Sequence, residues 1–113
     1  MLKYCNFNGI GVIPWAPVAA GSLTRPFGTT TTRSDSTPAA FKTEFSEADK
    51  TIINRVEEIS KKRGQTMAQI ALAWVGAKVA SPIVGISSVK RLDDAINPGF
   101  KLTEEEEKYL EEP

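Results

Sequence analysis

The sequence contains no histidine and a single cysteine. Without histidine, the side chain that most often exchanges protons near neutral pH is missing, so a Ser–His or Cys–His nucleophile cannot be assembled within this chain. Cys5 has no partner for an intrachain disulfide. With neither a histidine nor an adjacent cation to acidify it, it reads as an ordinary thiol. No apolar span reaches 18 residues and no signal-peptide pattern is present, so the expectation is a soluble, cytoplasmic chain. Net charge is lacking too, since 14 basic and 14 acidic residues cancel. With no Lys/Arg-rich run, nucleic acid and anionic membrane are not expected as partners. No cluster of His, Cys, Asp and Glu has metal-ligand spacing, so no metal is expected.

What is present is ordinary in bulk. A length of 113 residues, with 41% apolar and 25% charged residues, fits one globular domain. Asn8-Gly9-Ile10-Gly11 offers a turn, and Val12-Ile13 continues as a short apolar run of the kind a buried parallel strand shows. Gly9 and Gly11 make half of a glycine-rich dinucleotide fingerprint. Pro14 stands where the third glycine belongs and no helix opens behind, so that reading fails. Two prolines then bracket Trp15, and Ala19-Ala20-Gly21 follows, the composition of a strand that stops and turns into a loop with accessible backbone. Residues 22–43 are rich in Thr, Ser, Pro and Gly, so the spacing predicts a long loop over about 16–43.

Helices follow. Ser46-x-x-Asp49 is a capping pattern, and Ile52, Ile53, Val56 and Ile59 recur at helical spacing, which predicts a helix over about 46–63. Lys61, Lys62 and Arg63 suit the negative end of its dipole, and Gly64 suits a left-handed stop. Thr66-x-x-Gln69 opens a second helix, about 66–78, with Met67, Ile70, Ala71, Trp74 and Val75 on one face. Trp74 is read there as a core residue. Residues 82–86, Pro-Ile-Val-Gly-Ile, form an apolar run without alternation, which predicts a second strand covered on both faces. Ser87 and Ser88 lead into a short amphipathic helix, about 88–96. A strand, a serine turn and a helix start together resemble an anion site, with exposed N–H groups and Arg91 in the first turn. The alternative is a plain Ser88 N-cap and a solvated Arg91. After Pro98-Gly99, Thr103-x-x-Glu106 caps a terminal helix, about 103–112, whose glutamates read as a solvated face and which carries Tyr109 and Leu110.

This order predicts an α/β class with two parallel strands and crossover helices. Two strands do not make a sheet with both faces buried, so the chain is expected to be a piece of something larger. The blocks "GIGVIPWAPVAAGSLTRP" and "RVEEISKKRGQTMAQIALAWVGAKVASPIVGISSVKRLDDAI" resemble the C-terminal third of the aldo-keto reductases. Within that family they look most like the aryl-alcohol dehydrogenase and versiconal hemiacetal acetate reductase branch. The resemblance rests on three blocks in the family's order: the W-[SA]-P-[LV]-A-x-G-x-L loop, the A-Q-[IV]-A-L-A-W helix and the P-I-[VI]-G strand with its basic helix start.

The resemblance implies a C-terminal portion of a TIM (β/α)8 barrel that reduces aldehydes or ketones with NADP(H), with the site at the C-terminal ends of the strands. By position, Trp15 matches the aromatic residue that stacks on the nicotinamide. Ala16, Pro17, Val18, Gly21 and Leu23 match the loop along the pyrophosphate, although Ala16 lacks the hydroxyl common there. Ser87 and Arg91 match residues that recognise the 2′-phosphate of NADP, Asp94 matches an adenine-contacting Glu, and Ala95 replaces a frequent Asn. Arg25 and Arg33 are weaker phosphate candidates. The family's Asp, Tyr, Lys and His blocks have no counterpart, since Tyr4 and Tyr109 lie outside matching contexts, so the isolated chain is expected to be inactive and truncated. Two functions follow: the cofactor-binding part of an oxidoreductase, or a non-catalytic α/β module that self-associates or is completed by another chain.

Overall fold

The computed structural model describes residues 1–30, 44–96 and 99–112. Its helices are α1 (Leu2–Phe7), α2 (Glu47–Arg63), α3 (Met67–Lys78), α4 (Val89–Ile96) and α5 (Glu104–Glu111). All three capping boxes form as the sequence predicts. Ser46, Thr66 and Thr103 each accept the N–H of the residue three positions on, and the side chains of Asp49, Gln69 and Glu106 accept the N–H of the capping residue in return. Each arrangement satisfies two orphan donors of a helix start. Gly64 ends α2 at φ 66°, a left-handed conformation that glycine takes without a Cβ penalty.

The helix α1 has no counterpart in the sequence reading. Its six residues carry no capping box and no apolar period, and Asn8 closes it by donating from Nδ2 to the Tyr4 carbonyl at 2.9 Å. The core lies between α2, α3 and the terminal segment. Ile53, Val56 and Ile59 from α2 meet Met67 and Ile70 from α3 and Leu102 and Leu110 from the C-terminal side. Ile70 is wholly inaccessible. Trp74 packs against this core only in part, and its Nε1 donates to Glu111 Oε1 at 3.0 Å.

Two extended segments run parallel, joined by one bridge between Trp15 and Ile83. Ile83 N–H donates to the Pro14 carbonyl at 2.8 Å, and Ala80 N–H to the Val12 carbonyl at 3.1 Å. The parallel pairing agrees with expectation. The extent is smaller than expected, because Pro14 offers no N–H toward the partner segment and Ala16 turns away at φ 52°. The second strand is also not covered on both faces. Trp15, Ile13 and Ile83 share one face and are 83%, 65% and 57% exposed, whereas Val12, Pro14 and Val84 on the other are half-buried.

The expected long loop tightens into successive turns over Ala19–Thr24, kinked at Ala20 and Gly21. Phe27 and Phe45 meet edge to face at 5.8 Å between ring centres, so the two flanks of residues 31–43 touch. Most of the Thr/Ser-rich tract, with Arg33, lies outside the described residues.

The glutamates of α5 are not only a solvated face. Glu106 takes a two-pronged contact from Arg63, with Nε to Oε1 at 2.7 Å and Nη2 to Oε2 at 2.5 Å. Lys78 reaches both Glu107 at 2.6 Å and Glu111 at 3.0 Å. Arg63 therefore fixes α5 to α2 as well as facing the helix dipole. The Arg63 guanidinium holds the Glu106 carboxyl down at about 2, and the N–H and hydroxyl of Thr103 act in the same direction.

Candidate cofactor site

Parallel pairing sets the geometry. Because residues 12–15 and 82–86 run in the same direction, the chain leaves both segments at one end. There the first opens into the loop of Ala16, Pro17, Val18, Gly21 and Leu23, and the second into Ser87 and α4. The bridge pair itself brings Trp15 beside Ile83, at the edge of that end.

The loop has an uncommon backbone. Ala16, Ala19 and Ala20 have φ of 52°, 50° and 53°, and Gly21 has 96°. Left-handed backbone costs a non-glycine residue roughly 1–2 kcal/mol, so three alanines held there within five residues mark a constrained segment. Small side chains make this possible and leave the backbone approachable. The turn is closed by Ala19 N–H to the Ala16 carbonyl and Gly21 N–H to the Val18 carbonyl, each at 3.0 Å, and by Thr24 Oγ1 to the Gly21 carbonyl at 2.7 Å. Pro17 is buried and Leu23 packs against the core, so these two anchor the loop from below. Arg25 stands over it: the position a Cβ would take on Gly21 lies 3.7 Å from Arg25 Nη1. Arg25, a weaker candidate in the sequence, is thus brought to the loop.

At the second segment, Ser88 Oγ accepts the Arg91 N–H at 3.3 Å and caps α4 as expected. Arg91 Nη1 also donates to Ser87 Oγ at 2.8 Å. That bond holds the guanidinium back over the helix start, so the capping and anion-site readings are compatible. Ser87 and Arg91 are exposed, and Asp94 is half-buried on the next turn. The apolar side chains of α4 are not where an amphipathic helix normally puts them. Val89 is 76% exposed and Ile96 71%.

The arrangement offers an exposed indole, a close-approach backbone loop with a guanidinium, and a helix start with a second guanidinium. These groups suit the aromatic and phosphate parts of a dinucleotide. The chain matches the model of the "Aldo/keto reductase family" over residues 1–112. The chain belongs to the aldo/keto reductase family.

It is 44% identical, over 119 residues, to the versiconal hemiacetal acetate reductase of Aspergillus parasiticus, covering all of this chain and 35% of that one. A Schizosaccharomyces pombe protein that carries an aryl-alcohol dehydrogenase name is 47% identical over 116 residues, with 36% of its length covered. Among solved structures, a thermostable aldo-keto reductase crystallised with the inhibitor epalrestat superposes with a TM-score of 0.63 at 29% identity. That match covers 96% of this chain and 31% of the other. The chain thus spans about a third of the length of the relatives it matches. Its fold is part of the TIM barrel of aldo-keto reductases, as the resemblance implies. Among the described residues, no helix is long and apolar enough to cross a membrane.

Proposed function

We propose that this chain is the C-terminal, NADP-binding portion of a cytoplasmic aldo-keto reductase that reduces aldehydes or ketones by hydride transfer. One observation carries the reading. The parallel pairing sends the Ala16–Leu23 loop and the Arg91 helix start from the same end of the two segments, and Arg91 is already tied to Ser87.

In this reading Trp15 stacks on the nicotinamide. Ala16, Pro17, Val18, Gly21 and Leu23 form the pyrophosphate loop, with Arg25 adding charge. Ser87 and Arg91 take the 2′-phosphate, and Asp94 faces the adenine. The bound nucleotide supplies the hydride. This chain's own residues bind and orient it, and they include no histidine to assist protonation of a carbonyl oxygen.

The test is a titration of the chain and of Arg91→Ala with NADPH and NADH. Loss of a charge-assisted contact to phosphate weakens NADPH by about tenfold, equivalent to roughly 1.4 kcal/mol, and leaves NADH nearly unchanged. Equal loss for both removes Arg91 from the 2′-phosphate role. Mixed with NADPH and an aromatic aldehyde, the isolated chain is expected to give no turnover, and clear NADPH oxidation contradicts this. A second reading, a non-catalytic module that associates with itself, is favoured by the exposed apolar face of Ile13, Trp15 and Ile83.

A further inference from the structure

We propose that Phe27 is a positioning residue for Arg25: clasped by Phe45 and Lys50, it holds that guanidinium over the Gly21 turn to take the diphosphate that NADPH and NADH share. The inference rests on the dinucleotide reading above and adds to it a residue that acts through another.

Arg25 carries a charge that nothing uses. Among the described residues, five basic side chains are half-buried: Arg25, Lys50, Arg55, Arg63 and Lys78. Lys50 reaches Glu47, Arg55 donates to the Tyr109 carbonyl, and Lys78 reaches Glu107, each at 2.6 Å, while Arg63 holds Glu106. The Arg25 guanidinium has no hydrogen bond, ion pair or ring contact among the described residues. A charge drawn partly out of water without a partner costs free energy, and a bound anion offsets that cost. The space it overlooks is polar and open. The position a Cβ would take on Gly21 lies 3.7 and 3.8 Å from Arg25 Nη1 and Nη2 and 3.8 Å from Thr24 Oγ1. Two guanidinium nitrogens side by side suit two phosphate oxygens.

Arg25 is strapped from both directions. On one side Thr24 Oγ1 is tied back to the Gly21 carbonyl at 2.7 Å. On the other, Arg25 is extended at φ −154° and ψ 158° and leads into Pro26, whose ring fixes the next φ. Thr29 N–H then donates to the Pro26 carbonyl at 3.2 Å, closing a turn with Gly28 at φ 83° in its third position, where glycine is favoured. Phe27 is the side chain that pins this turn. Its ring meets Phe45 edge to face, at 84° between planes, and Lys50 Nζ stands 5.7 Å from its centre.

The clasp has a firm base. Phe45 packs against the core and directly precedes Ser46, the capped start of α2, and Lys50 lies in the first turns of that helix, paired with Glu47. The order of support thus runs from the capping box of α2 to Phe45, to Phe27 and to Arg25. All of these residues lie within one stretch of chain, 21–50. Arg91 is held separately, by Ser87.

A double-mutant cycle with NADPH and NADH as probes tests the assignment. Arg25→Ala is expected to weaken both nucleotides by about tenfold and Phe27→Ala by about fivefold, because the diphosphate is common to the two. The pair of substitutions together is expected to lose no more than Arg25→Ala alone, since Phe27 acts through Arg25. Phe27→Tyr keeps the ring and is expected to keep the affinity. Unchanged affinity in Phe27→Ala, or losses that multiply in the double variant, overturns the positioning role. Should Phe27→Ala fail to fold by circular dichroism, Phe27→Leu, which keeps apolar bulk without the edge-to-face contact, is held to the same criteria. Silent Arg25 and Phe27 variants beside an Arg91→Ala that still weakens NADPH alone remove this inference and leave the 2′-phosphate reading standing. An Arg91→Ala that weakens both nucleotides equally, beside an intact cycle at Arg25 and Phe27, does the reverse. Binding of neither nucleotide overturns both.

Discussion

The helical side of this molecule and its strand-and-loop side are built to different standards of completion. On the helical side, three capping boxes are fully formed, Ile70 is inaccessible, and Arg63, Lys78 and Trp74 tie α5 to the core. On the other side, one parallel bridge joins two segments whose largest apolar side chains face water. The difference teaches where the information for each half resides. Caps and helical periods are satisfied by residues a few positions apart, so α2 and α3 close on themselves. Strand edges need another strand, and a two-stranded unit has none to spare.

The largest expected break in this comparison comes from the core. Ile70→Ala deletes buried methyl groups from a fully enclosed position and should cost about 2–5 kcal/mol, readable as a fall in the denaturant midpoint. Val89→Ala, on the exposed side, should change stability by less than about 0.5 kcal/mol. Similar losses at both positions would erase the distinction between the two sides.

A smaller effect is expected from acid. Glu106 titrates at about 2 in the folded chain, against an ordinary carboxyl near 4.5. The proton therefore binds the unfolded state more readily. The stabilisation is fully present above pH 4.5 and is lost as pH falls toward 2. Asp49 and Glu111 are also held low, Asp49 chiefly by its hydrogen bond with the Ser46 hydroxyl and Glu111 chiefly by Lys78. The Glu106 share is about 1–3 kcal/mol. Glu106→Gln should remove that share and flatten the acid limb of a stability-against-pH curve, whereas an unchanged limb would deny Arg63–Glu106 its role in fixing α5.

A smaller gain is expected in the loop. Ala20 sits at φ 53°, where glycine carries no Cβ penalty. Ala20→Gly should raise stability by about 0.5 kcal/mol, after the added freedom of the unfolded chain is counted. A loss of stability would mean that the left-handed backbone there is not strained.

The helices were legible because their signals are local. Ser46, Thr66 and Thr103 mark three starts to within a residue, and Gly64 marks a stop. The short α1 had no such mark, and the contact of Arg63 with Glu106 joins residues 43 positions apart, beyond the reach of a periodic pattern. Residues 82–86 misled in one respect. An apolar run without alternation reports that both faces suit burial, but the chain's own residues cover only one. In the candidate site, the Trp15 loop and the Ser87–Arg91 start were legible as family blocks. The position of Arg25 over Gly21 depends on a left-handed turn that the Ala-Ala-Gly composition permits without specifying.

The central claim is that the loop after Trp15 and the start of α4 together hold a 2′-phosphorylated dinucleotide. Titration calorimetry of the unmodified chain with NADPH and with NADH tests it most directly. The account expects NADPH to bind at least tenfold more tightly, about 1.4 kcal/mol, and to quench Trp15 fluorescence as it does so. Equal affinities, or no binding of either nucleotide, would contradict it.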